Sequence, residues 1–364
     1  MKKILTESRV LLALGAGGVG KTTSSIAMAI YAAQHGRRVG LISIDPAKRL
    51  ASALGIPLGS ELVQLNIPEL IGKTGTIFAA MLDQKAVFDQ MVRKYAVTAK
   101  VADLIMKNRL YQAASTNLGG PLEYLALSKL AMMVESKEFD LVIVDTPPDS
   151  HALDFLERPN VLNGFMESKV MSWLLKPFLM ARRFGLGKLI SAGEKLMGGI
   201  ASITGVQALE ALAEFLVLIQ DVIAGFHRAG EQILGILKAP GTRFVLVTSP
   251  SSAAVRSVVA MGVELQRQTY RVGAIVINRC VPSDIAAEAM KFSDASNQPV
   301  AALCRRLESE KRSVEQLVKI ATVHSASILK IPDLERDLQT IPGLQALVKA
   351  WYHDGGASHS ESPR

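Results

Sequence analysis

Cysteine is scarce. The 364-residue chain has two, Cys280 and Cys304, with no CxxC, CxxH or HxxxH pattern beside either. That excludes a disulfide framework and a cysteine-rich metal site. Long apolar runs are also missing, since no stretch reaches the about 18 uninterrupted apolar residues of a membrane helix. The greasiest segment, Ala208 to Phe226, is broken by Glu210, Glu214, Gln220 and Asp221. The opening Met-Lys-Lys-Ile-Leu-Thr-Glu-Ser has no apolar core of a secretory signal, so a cytoplasmic protein is the expectation. Acid is short relative to base: 33 Asp and Glu against 41 Lys and Arg, a net charge of +8. This balance suits a nucleotide, anionic lipid or nucleic acid as partner, or an ordinary basic surface.

What is present is a chain able to bury a core, with 49% hydrophobic and 20% charged residues. Apolar runs at 9–14, 39–44, 141–144, 244–248, 273–277 and 327–331 read as strands. Runs apolar at nearly every position suit a parallel sheet covered on both faces. Lys21 to His35 reads as a helix closed by Gly36, which makes the start of the chain a strand, glycine-rich loop, helix, strand unit. Ile77 to Arg109 reads as amphipathic helix. The stretch from Phe155 to Leu237 is too long for a simple crossover and reads as an inserted helical subdomain. The expectation is an α/β fold: a doubly wound, mostly parallel sheet of a P-loop NTPase with that insert, one domain over 1–350. A disordered Gly/Ser-rich tail is expected at 351–364. No second copy of the loop is present.

The loop is Gly15-Ala16-Gly17-Gly18-Val19-Gly20-Lys21-Thr22, which matches G-x-x-x-x-G-K-[ST]. Its glycines let backbone N–H groups close around phosphates. Lys21 can reach the β- and γ-phosphates, the Thr22 hydroxyl can ligate Mg²⁺, and Thr23 sits at the helix start beside the α-phosphate. The motif lies between a strand and a helix, as its chemistry requires. Acidic residues follow two further strands: Asp45-Pro-Ala-Lys-Arg after the second and Asp145-Thr-Pro-Pro-Asp-Ser-His151 after the third. Ligands of open α/β sheets bind at such carboxyl ends.

Gly-Gly-Val-Gly-Lys-Thr-Thr resembles the deviant Walker A loop of the signal-recognition, MinD and ArsA class of P-loop ATPases. The two acidic segments resemble the Asp-Pro-Ala switch I and Asp-Thr-x-Pro-x-x-His switch II of the ArsA and guided-entry (tail-anchored-protein targeting) family. With Asn278-Arg279 and Ile331-Pro332 after later strands, the resemblance covers most of the chain. It implies an Mg-dependent ATP hydrolase. Lys21 and Asp45 would be catalytic, with Asp45 positioning the attacking water. Asp145 would hold Mg²⁺ with Thr22, and His151 would sense the phosphate state. Asn278 would read adenine, with Pro332 beside the base. Lys48 and Arg49 stand where the family often has His or another polar residue, and they are read as solvated charges within reach of phosphate.

The chain departs from the pattern at Ala16, where the class usually has a lysine that reaches across a dimer. The resemblance implies a dimer, either of this chain with itself or with a lysine-bearing paralogous ATPase. In the second case this chain would be weakly catalytic. Guided-entry members couple ATP-driven closure to a hydrophobic or membrane-protein client. Here Met166, Met171, Met180, Phe165, Trp173 and Phe178 suit an apolar groove, and the basic balance of 165–200 suits peripheral membrane contact. An arsenite-efflux subunit is an alternative, but that branch uses cysteines this chain does not match. The zinc-joining CxxC of eukaryotic guided-entry members is also absent. A DNA-partitioning ATPase is disfavoured by the long insert, and no specific nucleic acid is expected.

Overall fold

The structure is a computed structural model that describes residues 1–44, 49–67, 74–117, 122–147, 203–291, 298–334, 343–344 and 346–349. Within these, β1 (Val10–Leu14) is five apolar residues, all buried. It lies between β5 (Leu141–Asp145) and β6 (Thr242–Thr248), parallel to both. Among the described residues the strands form one eight-stranded sheet, ordered β3-β4-β2-β5-β1-β6-β7-β8. β2 is Arg38–Ser43, β7 Val272–Cys280 and β8 Ser327–Pro332. Among the described strands the edge pair, β3 (Val63–Gln64) on β4 (Thr76–Met81), is the antiparallel one. This is the doubly wound α/β fold of a P-loop NTPase.

The helices between strands follow their local signals. α1 (Lys2–Glu7) precedes β1, and α2 (Lys21–Gln34) connects β1 to β2. α2 is buried along nearly all its length, as a helix pressed on a sheet must be. α3 (Arg49–Leu54) follows β2.

The helix expected from Ile77 does not begin there. Residues Thr76–Met81 are a strand, not the start of a helix, and they pair in parallel with β2 from Arg38↔Thr76 to Ser43↔Met81. Ala79, Ala80 and Met81 favour helix locally, but the sheet edge left open by β2 takes the segment. Helix begins only at α4 (Gln84–Tyr95), where Asp83 caps it by accepting from Ala86 N at 2.7 Å. α5 (Ala99–Lys107) starts at a second cap, Thr98, and α6 (Arg109–Asn117) follows. α7 is Leu122–Ser136 and α8 Ile203–Lys238. α9 (Ser252–Arg267), α10 (Ser283–Lys291) and α11 (Gln298–His324) complete the chain up to β8.

Two compact units result. One contains Met1–Leu82, Lys129–Leu156 and Gly235–Arg364, and the other Asp83–Ser128 and Glu157–Leu234. The first holds the sheet and its core, with Leu11, Leu41, Ile143 and Val247 packed with Ile26 and Met28 of α2. The second has its own cluster of Val92, Ala102, Ile105, Tyr111, Phe215 and Val222. Gly225 there lets α8 lie against Tyr95, since a Cβ would come within 2.1 Å of that ring.

Two glycines of the first unit separate hard from soft packing. A Cβ on Gly75 would sit 2.0 Å from the Ala33 carbonyl oxygen, which is backbone and cannot turn aside. A Cβ on Gly40 would meet mainly the Met133 methyl at 2.4 Å, the end of a flexible side chain. Gly75→Ala is expected to destabilise the fold by about 1–3 kcal/mol. Gly40→Ala should cost less, and urea denaturation of the two variants side by side checks the order.

Candidate functional site

The loop between β1 and α2 is built around two close approaches. A Cβ at Gly15 would stand 2.1 Å from the Val247 carbonyl oxygen of β6, so only glycine lets the chain turn there. Gly20 has φ of +95° and faces Asn278, whose Nδ2 lies 2.3 Å from where a Cβ would be. Gly20 is also the N-cap of α2 and offers no side-chain cap, and the first turn has no acidic residue. A positive helix end therefore faces the loop, suited to an anion. Gly17 and Gly18 are exposed, Ala16 is half-buried, and Val19 is buried beneath.

Lys21 is buried, and its Nζ donates to the Gly15 and Ala16 carbonyls at 2.8 Å each. Thr22 turns to the neighbouring strand, where its Oγ1 donates to Asp145 Oδ2 at 2.7 Å. Ser43, at the end of β2, donates to the same oxygen at 2.9 Å. Asp145 is fully buried at the end of β5. Thr146 follows it and donates from Oγ1 to the Ala13 carbonyl at 2.7 Å. Thr22 and Asp145 thus bring a hydroxyl and a carboxylate oxygen together beside the loop. Hard oxygen donors of this kind fit Mg²⁺, whose remaining positions are usually filled by phosphate and water. Among the described residues no group of three or more His, Cys, Asp or Glu could hold an ion by itself.

The far side of the loop is held by β7. Asn278 is buried, and its Nδ2 donates to the Val19 carbonyl at 3.0 Å while its Oδ1 accepts the Arg279 N–H at 3.0 Å. The side-chain amide so far assigned to adenine is directed at the loop backbone in this arrangement. Pro332 ends β8, in register with Cys280, and is half-buried. The Asp333 N–H donates to the Cys280 carbonyl at 2.7 Å, which joins the two strand ends.

A cavity of about 330 Å³ opens over the loop. Gly18, Gly20, Lys21, Thr22, Thr23 and Thr146 line it together with Ser52, Ala53, Arg49 and Arg279. The sequence motifs named the first five. Arg49, read from the sequence as a solvated charge, and Arg279, named only as the neighbour of Asn278, join them in the wall. Their basic side chains beside a phosphate motif were the available signal. Asp45, Lys48 and His151 lie outside the described residues, as do 164–180 of the methionine-rich groove and the tail at 351–364. Among the described residues no helix is long and apolar enough to cross a membrane.

Comparison with known proteins places these features in a lineage. The sequence profile of the anion-transporting ATPase family matches residues 8–317. The protein named ATPase GET3 from Phaeosphaeria nodorum is 25% identical over 330 residues, which cover 89% of each chain. The ATPase ASNA1 homolog of Trypanosoma cruzi is 27% identical over 353 residues, covering 91% of this chain and 87% of its own. A protein named ATPase GET3 from Rhodotorula glutinis is 31% identical over 200 residues, 55% of this chain and 52% of its own.

The thiols bear on the arsenite alternative. Cys280 is buried, and burial first, then the nearby Glu310 carboxylate, pushes its thiol up to about 12. A soft ion needs a thiolate, which this site withholds. Cys304 is half-buried on α11, with its Sγ 3.8 Å from the Ala289 carbonyl. Titration of the native protein with a thiol reagent at pH 8 should find Cys304 reactive and Cys280 protected until the chain unfolds. Between the ordinary thiol value of 9.0 and about 12 the unfolded chain releases this proton while the folded chain keeps it. Stability from Cys280 is therefore complete below pH 9 and falls as pH rises through that window. Equal reaction of both thiols in the native protein would contradict this burial.

Proposed function

The chain belongs to the anion-transporting ATPase family, and from this we propose that it binds ATP with Mg²⁺ in the cavity over Gly15–Thr22 and hydrolyses it. The observation that carries the reading is the convergence of the glycine loop, the Thr22–Asp145 pair and buried Lys21 at the carboxyl edge of β1 and β5. The loop amides and the α2 N-terminus receive phosphate oxygens. Lys21, resting on the Gly15 and Ala16 carbonyls, is positioned to exchange those contacts for the β- and γ-phosphates. Thr22 and Asp145 would hold magnesium, which when bound supplies charge neutralisation for the terminal phosphate. Ser43 keeps the Asp145 carboxylate oriented toward Thr22. Asp45, after β2, is assigned to the attacking water, and His151 to sensing the phosphate state. The base is assigned to the side of the edge where Asn278 and Pro332 lie.

The use of the energy follows the guided-entry type of the relatives named above. A cytoplasmic dimer would close on ATP and act on a hydrophobic or membrane-associated client through the methionine-rich residues of 164–180. A second reading is favoured by Ala16: a weakly catalytic subunit paired with a paralogous ATPase that carries a lysine at this position.

Calorimetry with Mg²⁺ tests the binding step. Lys21→Ala should abolish detectable ATP uptake. Asp145→Asn should lower phosphate release roughly 100-fold, the scale of losing one group that stabilises transition-state charge. Unchanged ATP uptake by Lys21→Ala would remove the nucleotide from this cavity.

A further inference from the structure

The nucleotide cavity has two guanidinium groups that the loop motif does not account for. Arg49 opens α3, just after β2, and Arg279 is the next-to-last residue of β7. Both line the cavity with Lys21, Thr22 and Thr23. In the sheet, β2 lies on one side of β1 beyond β5, and β7 on the other beyond β6. The two arginines therefore approach the loop of β1 from opposite flanks.

Arg279 is held there against local preference. Its φ is +60°, a left-handed conformation rare for a side chain without a turn-forming amide or carboxylate. Its N–H donates to Asn278 Oδ1 at 3.0 Å, and its carbonyl accepts from Arg306 of α11 at 3.4 Å. In β7 it is the single exposed position of a strand that is otherwise buried. Such outliers persist where the surroundings impose them, commonly at ligand sites. The loop itself has an alanine at position 16, so it contributes no cation before Lys21.

We propose that Arg49 and Arg279 clasp the phosphate chain of ATP from two sides, supplying within one chain the positive charge that Ala16 cannot. The proposal rests on the reading of this cavity as the ATP site and deepens it. A guanidinium stays charged at any working pH and presents a planar fork that matches phosphate oxygens two at a time. Two such groups flanking the loop make triphosphate binding independent of a lysine from a second subunit.

The test uses the 364-residue chain with Mg²⁺ and three probes: a non-hydrolysable ATP analogue, ADP and AMP. Arg49→Ala and Arg279→Ala should each weaken the ATP analogue about tenfold, the scale of one charged hydrogen-bonding group. AMP affinity should fall threefold or less, and ADP should fall between. Arg49→Lys and Arg279→Lys should recover part of the loss, because charge returns without the fork. Circular dichroism melting of each variant shows that the fold is retained. Wild-type affinity for the ATP analogue in either alanine variant would overturn the clasp, as would an equal loss for AMP. Lys21→Ala is run alongside. If it also binds the analogue normally, the ATP reading of the cavity fails. If it alone loses binding, only the arginine assignment fails.

Discussion

The carboxylate of Asp145 takes two hydroxyl hydrogen bonds on one oxygen, from Thr22 at 2.7 Å and Ser43 at 2.9 Å. Burying a charge without such partners would be strongly unfavourable, so these bonds tie three elements to one point. β5 brings the carboxylate, β2 the serine, and α2 the threonine. Fixing Thr22 fixes the first turn of α2, and through it the end of the glycine loop. Moving any one of the three elements would leave the buried carboxylate short of a partner.

The opposite side of the loop is fixed by an amide rather than a charge. Asn278 bonds the Val19 carbonyl and packs against Gly20, so the loop is held from β7 as well as from β5. α11 backs this grip. Arg306 reaches the Arg279 carbonyl and the Asp333 carboxylate, and Glu310, one turn further along the same helix face, accepts the Val281 N–H at 3.0 Å. The ends of β7 and β8 are thus coupled to a 27-residue helix.

Charge supply connects this architecture to the family. On the proposed reading, Arg49 and Arg279 would place within this chain the charge that a lysine at position 16 would bring from a second subunit. Among the described residues, those that line this cavity all belong to the first unit, and the second has its own packed cluster of α4, α5, α6 and part of α8.

Much of this was legible in the sequence. Leu11, Val39, Ile143, Val245 and Val276 lie in short, largely β-branched apolar runs that suit a strand covered on both faces, and the glycine spacing with Lys21 and Thr22 is the phosphate-loop pattern. The strand Thr76–Met81 was not legible, because its residues suit a helix equally well and only the open edge of β2 decides between them. The partnership of Thr22 with Asp145 spans 123 positions and that of Val19 with Asn278 spans 259. The entry of Arg49 and Arg279 into one cavity likewise needed the strand order. Local pattern determined most of the strands and singled out the glycine loop as the candidate phosphate site. Which distant side chains meet that loop was decided only by the sheet, because strand order, not sequence spacing, sets what stands beside β1.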